Sequence, residues 1–387
     1  MPDRNRQRIL VVTRNLPPLV GGMERLNWHM ASELGMRADV RIVGPAGAAA
    51  LAPPGIAVLE VPVRPLAWFL LVAALRSVYE TIRFKPEVVL AGSGLMAPIV
   101  WIAARCCGAA TVTYIHGLDV VADSSIYRSL WLPTIRRMDR VIANSYPTAK
   151  LCRAAGIQER LLAVVHPGVE ILSIPMLDSR IEEGFREKHG VGSGPLMLSV
   201  GRLTSRKGLR EFVRDVLPGI VEVHPEATLV VVGGPPSQAI RAEAQTPASI
   251  LRQAQVVGVA QNVRILGLIS EEQLLEAWAA ADVHVFPVRE LQGDPEGFGM
   301  VAIEAAAHGV PTIAYAVGGV PDAVAPGASG YLVPPGDWRA FQAALLRVIE
   351  APLSKPSVVE FARRFTWRAF GEAVSREVGS VTRASRP

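Results

Sequence analysis

The chain has 387 residues, 50% hydrophobic and 19% charged, with a formal net charge of +5. That length exceeds one ordinary core and predicts two domains, and the proportions are those of a soluble protein with much buried surface. The longest charge-free apolar runs, 65–75 and 94–104, reach about half the ~20 residues of a membrane-spanning helix, which excludes a bilayer-crossing chain.

The N-terminus leads from a basic tail into an apolar strand-like run and shows no signal-peptide pattern. Three cysteines suit a reducing compartment; the adjacent Cys106 and Cys107 lack metal-ligand spacing and read as core packing. Positive charge concentrates early. Residues 1–175 carry 19 Lys+Arg against 12 Asp+Glu, and the remainder 21 against 23. An acidic partner, such as an anionic membrane surface, is one reading of that excess, and ordinary arginine-rich composition is the other. Nucleic acid is disfavoured because no binding motif or basic–aromatic interleaving is present.

Along the chain, apolar strand-like runs alternate with longer helical stretches, twice over. The runs 8–13, 39–44, 87–92, 111–117 and 140–145 form the first set. The pattern restarts with 196–201, 228–234, 263–268, 283–288 and 311–316. Near-continuous apolar strands bounded by glycine predict parallel sheets covered on both faces. The fold class expected is therefore α/β, with two Rossmann-like doubly wound domains facing across a cleft. The boundaries read as 1–178, 179–365 and a terminal helix, 366–387, returning to the first domain. The polar stretch 179–195 reads as including the linker.

In such sheets ligands sit beyond the carboxyl ends of the strands, so the loops there carry the chemistry. After the first run, Gly21-Gly22 precedes a helix whose N-terminal amides suit an anion, although the pair is not a dinucleotide fingerprint. After the fourth come His116, Gly117 and Asp119. A lone histidine is more often structural, but one at the end of a parallel strand before glycine is a candidate ligand contact. The second half opens with SVGRLTSRKG, which places Arg202 and Lys207 on a post-strand loop before a helix. Two cations with helix-terminal amides suit a diphosphate, against the plain alternative of a solvated basic loop; no Walker A motif is present.

The segment GDPEGFGMVAIE comes after the 283–288 run. A helix is predicted over 300–308, stopped by Gly309 and Pro311, with its first amides near Gly299, Met300 and Val301 available to oxygen atoms. Glu296 lies just before it and Glu304 about one turn inside. Carboxylates accept hydrogen bonds, so both are expected to hold hydroxyls, as in a sugar or a ribose.

These segments, with HPGVE (166–170), VVGGPP (231–236) and GGVPDAV (318–324), closely resemble the retaining GT-B-fold glycosyltransferases of family 4 over essentially the whole chain. The resemblance implies that Arg202 and Lys207 bind the diphosphate of a nucleotide sugar, with Gly22 bordering it. It further implies that Glu304 holds the ribose, Glu296 a sugar hydroxyl, and the amides of Phe298, Gly299, Met300 and Val301 sugar and phosphate. Leu268 would cradle the base and His116 would line the reaction centre, with Gly21 and Asp119 on the acceptor side. The implied chemistry is transfer with retention of configuration. The chain contains no Asp-x-Asp pair, and cations already fill the diphosphate role, so no metal or other cofactor is expected. The motif style leans toward GDP-mannose, with UDP-hexoses as alternatives, and toward a lipid-linked or polysaccharide acceptor. The apolar, aromatic stretch 65–85 and the basic cluster 135–140 suggest peripheral attachment at the inner face of the plasma membrane. A nucleotide-sugar epimerase and a catalytically silent partner of another transferase are the alternative classes.

Overall fold

A computed structural model describes residues 6–121, 124–171, 179–235 and 245–384. The chain divides into two compact units, Met1–Gly168 with Trp367–Pro387, and Val169–Thr366. The expected boundary at 178 lies outside the described residues, and the division falls at Gly168/Val169 instead.

The first unit is built on a seven-stranded sheet in which every pairing is parallel. Its strands are β1 (Arg8–Val12), β2 (Asp39–Pro45), β3 (Ala57–Val61), β4 (Val88–Ala91), β5 (Ala110–Ile115), β6 (Arg140–Ala143) and β7 (Leu162–Val164). They are ordered β3-β2-β1-β4-β5-β6-β7. The central strands β4 and β5 are buried throughout, which is why they read as unbroken apolar runs. The edge strands β3 and β7 go beyond the expected set. Glu60 interrupts the apolar run of β3, and β7 is only three residues long, so neither carries the signature of a central strand.

The sheet is covered by helices that include α1 (Gly22–Gly35), α2 (Leu66–Phe84) and α3 (Ala97–Arg105). The terminal helix Trp367–Ala384 belongs to this unit and packs on α1. Its Trp367 ring stacks on His29 at 3.9 Å, and Glu377 accepts a hydrogen bond from Arg140 Nε at 2.6 Å.

The second unit carries a six-stranded, all-parallel sheet ordered β10-β9-β8-β11-β12-β13. The strands are β8 (Leu196–Val200), β9 (Thr228–Val232), β10 (Val263–Gly267), β11 (Val283–Phe286), β12 (Thr312–Tyr315) and β13 (Gly330–Val333). β13 is again an edge strand that the sequence pattern does not show.

Two expectations are corrected. The stretch 179–195 is not simply linker: Ser179–His189 is a helix of the second unit, with Phe185 buried against the sheet. Arg186 fastens its end by donating to the carbonyls of Gly192 and Gly194 at 2.8 and 3.0 Å. The surrounding charges that suggest a linker are the solvent face of an amphipathic helix. Cys106 is exposed and Cys107 half-buried, because both lie past the C-terminal end of α3; only Cys152 packs in the core.

Candidate active site

In the second sheet the order runs outward in opposite directions from the adjacent β8 and β11. Loops leaving the carboxyl ends of two such strands diverge and open a crevice, the usual ligand position in doubly wound sheets. Both charged segments singled out in the sequence leave from these two strands.

After β8 the chain makes a single helical turn, Ser205–Lys207, ended by Gly208 at φ 67°. A Cβ at Gly208 would lie 2.1 Å from the Pro287 carbonyl, so this turn rests directly on the segment beyond β11. Arg289 N–H donates to the Arg206 carbonyl at 2.8 Å and locks the two together. That contact brings the basic loop and the acidic loop side by side.

One carboxylate oxygen, Glu296 Oε2, accepts from Lys207 Nζ at 2.8 Å and from Arg206 Nη1. Arg206 Nε also lies 3.3 Å from Asp294 Oδ1. The Lys207 ammonium stands 4.4 Å from the centre of the Phe286 ring, a cation–π distance. The side chains of Arg206 and Glu296 each expose 11% of their surface and that of Lys207 20%, so these charges are only partly screened by water.

The electrostatics are set by that packing. Burial pulls the Lys207 ammonium down to about 8; Glu296 opposes this, while Arg206 and the exposed Arg202 reinforce it. Burial alone would raise the Glu296 carboxyl, but Arg206, Lys207 and Arg202 outweigh it and hold the group near 2. Beneath the pair, His284 is fully buried and depressed to about 3 by burial and by the Lys207 charge. It is neutral at physiological pH, with Nδ1 3.1 Å from Thr312 Oγ1.

This arrangement makes stability depend on pH. The folded-state pKa of Glu296 is below the ordinary 4.5, so its ionisation stabilises the fold above 4.5, and that contribution is lost as pH falls from 4.5 to about 2. Unfolding measured between pH 7 and 2 should show a shallower loss of stability over this window in Glu296→Gln than in the parent. Parallel acid limbs would show that the ion pair contributes nothing.

The backbone of Glu296 is held as firmly as its side chain. Gly319 N–H donates to the Glu296 carbonyl at 2.8 Å, and a Cβ at Gly318, φ 53°, would sit 2.3 Å from that oxygen. The Gly-Gly of the 318–324 motif therefore serves as a clamp that only glycine can form. The helix Met300–Ala307 starts from Gly299, which adopts φ 90° as its N-cap. Phe298 has its side chain in the core, 2% exposed, so it can offer a ligand only backbone. Met300 and Val301 are half-buried at the start of this helix, and Glu304 is half-buried about one turn inside it. Leu268, just past the end of β10, is 82% exposed.

The remaining candidates lie in the first unit. Gly21 caps α1, which begins at Gly22 after the β1 loop. His116 comes directly after β5, and its Nε2 lies 3.0 Å from the Gly92 carbonyl after β4. If Nε2 carries the proton for that bond, Nδ1 is left as an acceptor. Asp119 does not orient the imidazole; its carboxylate accepts the backbone N–H of His116 at 2.9 Å and shapes the turn.

Arg206 is the residue that sequence reasoning missed. Its signal was available: a third cation adjoins Lys207 in SRKG, and two carboxylates about 90 positions downstream need counter-charge.

Comparison with known proteins agrees with this layout. Residues 20–171 match the family model described as "Glycosyltransferase Family 4", and residues 194–351 match "Glycosyl transferases group 1". The D-inositol 3-phosphate glycosyltransferase of Mycolicibacterium vanbaalenii is 28% identical over 323 residues, 75% of this chain and 69% of that protein. The Mycolicibacterium smegmatis protein of the same name is 34% identical over 234 residues, 59% of this chain and 50% of that one. A GDP-mannose-dependent monoacylated alpha-(1-6)-phosphatidylinositol monomannoside mannosyltransferase of Corynebacterium glutamicum is 28% identical over 224 residues, 56% of this chain and 55% of that protein. The matches thus span between 50% and 69% of these three relatives' lengths.

Among solved structures, the Anabaena protein HepE in complex with UDP-glucose superposes with a TM-score of 0.78 at 21% identity, covering 96% of this chain and 99% of that one. Sucrose-phosphate synthase from Thermosynechococcus elongatus gives 0.79 at 22%, covering 98% and 100%. These likenesses establish the fold. With the two family matches, the two parallel sheets and the charged loops at the carboxyl ends of β8 and β11, where the strand order reverses (the sheet's switch point), the chain belongs to the family 4 glycosyltransferases of GT-B fold.

Proposed function

We propose that this glycosyltransferase moves a hexose from a nucleotide sugar, preferentially mannose from GDP-mannose, to a lipid-linked or polysaccharide acceptor of the cell envelope, at the inner face of a membrane. The observation that carries the proposal is the grouping of Arg206, Lys207 and Glu296 at the β8/β11 switch point, beside Arg202 and the start of the helix Met300–Ala307. Three cations and a helix N-terminus suit a diphosphate that carries two negative charges in the donor and gains a third as its bond to the sugar breaks.

In this reading Arg202 and Lys207 neutralise the diphosphate as the bond from the sugar's anomeric carbon to phosphate oxygen breaks. The electron pair leaves with the nucleotide. An acceptor hydroxyl attacks from the same face, forms the new glycosidic bond, and passes its proton to the leaving phosphate, so configuration is retained. Glu296 keeps acceptor capacity beyond the two bonds it receives, roughly four lone-pair sites in all, and can hold a sugar hydroxyl while Arg206 and Lys207 fix it. Glu304 takes the ribose, Leu268 lies against the base, and the backbone of Phe298 to Val301 meets sugar and phosphate. His116 contacts the sugar, with Gly22 beside the diphosphate and Gly21 and Asp119 toward the acceptor. Because side-chain cations take the role a divalent ion would otherwise fill, transfer is proposed to need none.

The lean to mannose rests on motif style and on the GDP-mannose-dependent relative. The UDP-glucose complex of the Anabaena structure makes a UDP-hexose the second reading. A thermal-shift screen in EDTA separates them. A donor at 100 times its Kd should add ~2.7 kcal/mol of stability, so GDP-mannose should raise Tm well above UDP-glucose or UDP-N-acetylglucosamine. A larger shift with a UDP-sugar would reverse the donor. A response appearing only when Mg²⁺ replaces EDTA would defeat metal independence at the donor site, and no response to any donor in either buffer would favour a silent partner.

A further inference from the structure

The loop after β1 carries a buried cation that no described residue pairs. Arg14 is 9% exposed, and its Nε is fully buried without a hydrogen-bond partner. Among the described residues its side chain makes no hydrogen bond and no ion pair. A guanidinium does not shed its proton, so burying one unpaired destabilises the fold until a counter-charge arrives.

The acid that acts on Arg14 is engaged elsewhere. Glu24, in the first turn of α1, accepts from Asn15 Nδ2 at 2.7 Å through Oε1. Its other oxygen is folded back over the start of α1, where a Cβ at Gly21 would lie 2.3 Å from it. Asn15 is itself fixed, its N–H donating to Thr13 Oγ1 at 3.0 Å. Burial lowers the Arg14 pKa, Glu24 partly offsets this, and Arg64, exposed just past β3, adds to it. Two cations against one carboxylate leave an excess of positive charge beside β1.

That charge shares its sheet edge with His116. Gly92 N–H donates to the Val12 carbonyl at 3.0 Å, and a Cβ at Gly92 would lie 2.7 Å from Thr13 Oγ1. The Gly92 carbonyl in turn meets His116 Nε2. Arg14 follows Thr13 directly, and Arg64 lies farther out, beyond β3, so both cations fall to one side of the histidine.

We infer that Arg14, with Arg64, holds a phosphate ester carried by the acceptor, at the carboxyl edge of the first sheet. A phosphate presents the oxygens that a guanidinium fork bonds in pairs. The donor's diphosphate fits this place less well, because Arg202, Arg206 and Lys207 of the second unit already supply its cations. The inference rests on the proposed transferase reading and deepens it by naming the acceptor's chemistry.

The full chain is melted in GDP or UDP, whichever raises Tm, so that the donor site is filled, and inorganic phosphate is then titrated. Phosphate should raise Tm further in the parent. Arg14→Gln should weaken that response by about tenfold or more, the scale of a charge-assisted hydrogen bond. Arg64→Gln should weaken it by about two- to fivefold, since its side chain is exposed. Without phosphate, Arg14→Gln should melt no lower than the parent, because it removes an unpaired buried charge. A lower Tm there would make Arg14 a packing residue and overturn the inference. Glycerol 3-phosphate and mannose 6-phosphate distinguish the source. An Arg14-dependent shift with the first assigns the group to a lipid headgroup and with the second to a phosphorylated glycan, and either supports the inference. A phosphate response unchanged in Arg14→Gln would overturn it, as would loss of the nucleotide shift in that variant, which would give Arg14 to the donor. If neither nucleotide raised Tm in the parent, the transferase reading would fail instead.

Discussion

Lys207→Ala should lower kcat by about 10²- to 10³-fold with little change in Tm. The first part comes from removing a preorganised cation from a poorly hydrated site where charge develops on the leaving phosphate. The second comes from the geometry of Glu296, whose Oε2 is shared by two cations, so loss of Lys207 leaves the carboxylate paired with Arg206. Lys207→Arg should not restore the rate. The ammonium occupies a slot between the Phe286 ring and Glu296, and a planar guanidinium has neither the shape nor the single-point contact for it. Steady-state kinetics beside a melting curve decides the matter. Turnover within tenfold of the parent would remove Lys207 from the diphosphate role, and a large fall in Tm would show that its loss acts through the fold.

Arg206→Ala should reduce kcat/KM by about tenfold to 10²-fold through a different route. Arg206 is a positioning residue, tying Glu296 and Asp294 of the acidic loop to the basic turn after β8. Without it Glu296 keeps one cation and can shift, and displacement of a contacting group by about 1 Å can cost as much as 10²-fold. Arg206→Lys should recover part of the loss, because a point charge still pairs with Glu296 but cannot also fork toward Asp294. The pH profile separates this from a structural effect. Arg206 is one of the cations that depress Lys207 and Glu296, so its removal should raise both pKa values and move the profile limbs they govern upward. A profile unchanged in position, with activity lost in proportion to stability, would reduce Arg206 to a packing residue.

How much of the fold is legible in the sequence depends on burial. Strands such as β4 and β5 are covered on both faces, so their residues have to be apolar without interruption and can be read directly. Among the edge strands, β3 is interrupted by Glu60 and β7 is only three residues long, which blurs their signal, whereas the half-exposed edge strand β10 keeps an apolar run that can be read. The helix Met300–Ala307 is bounded almost to the residue, since Gly299 and the Gly309–Pro311 stop allow little else. The helix Ser179–His189 reads as linker because charged residues fill its solvent face.

The sequence by itself determined the two-sheet α/β architecture and the identity of the charged loops, because apolar periodicity and the glycines at strand ends are local properties of the chain. It also singled out Lys207 and Glu296, which the structure pairs. Which charge meets which was a matter for the tertiary structure. Arg206 and Glu296 stand 90 positions apart, and only the adjacency of β8 and β11 brings their loops into contact. The same holds for the Gly318-Gly319 clamp on Glu296. Ion pairing and exposure are relations between distant segments, and a one-dimensional pattern records the partners without recording that they meet.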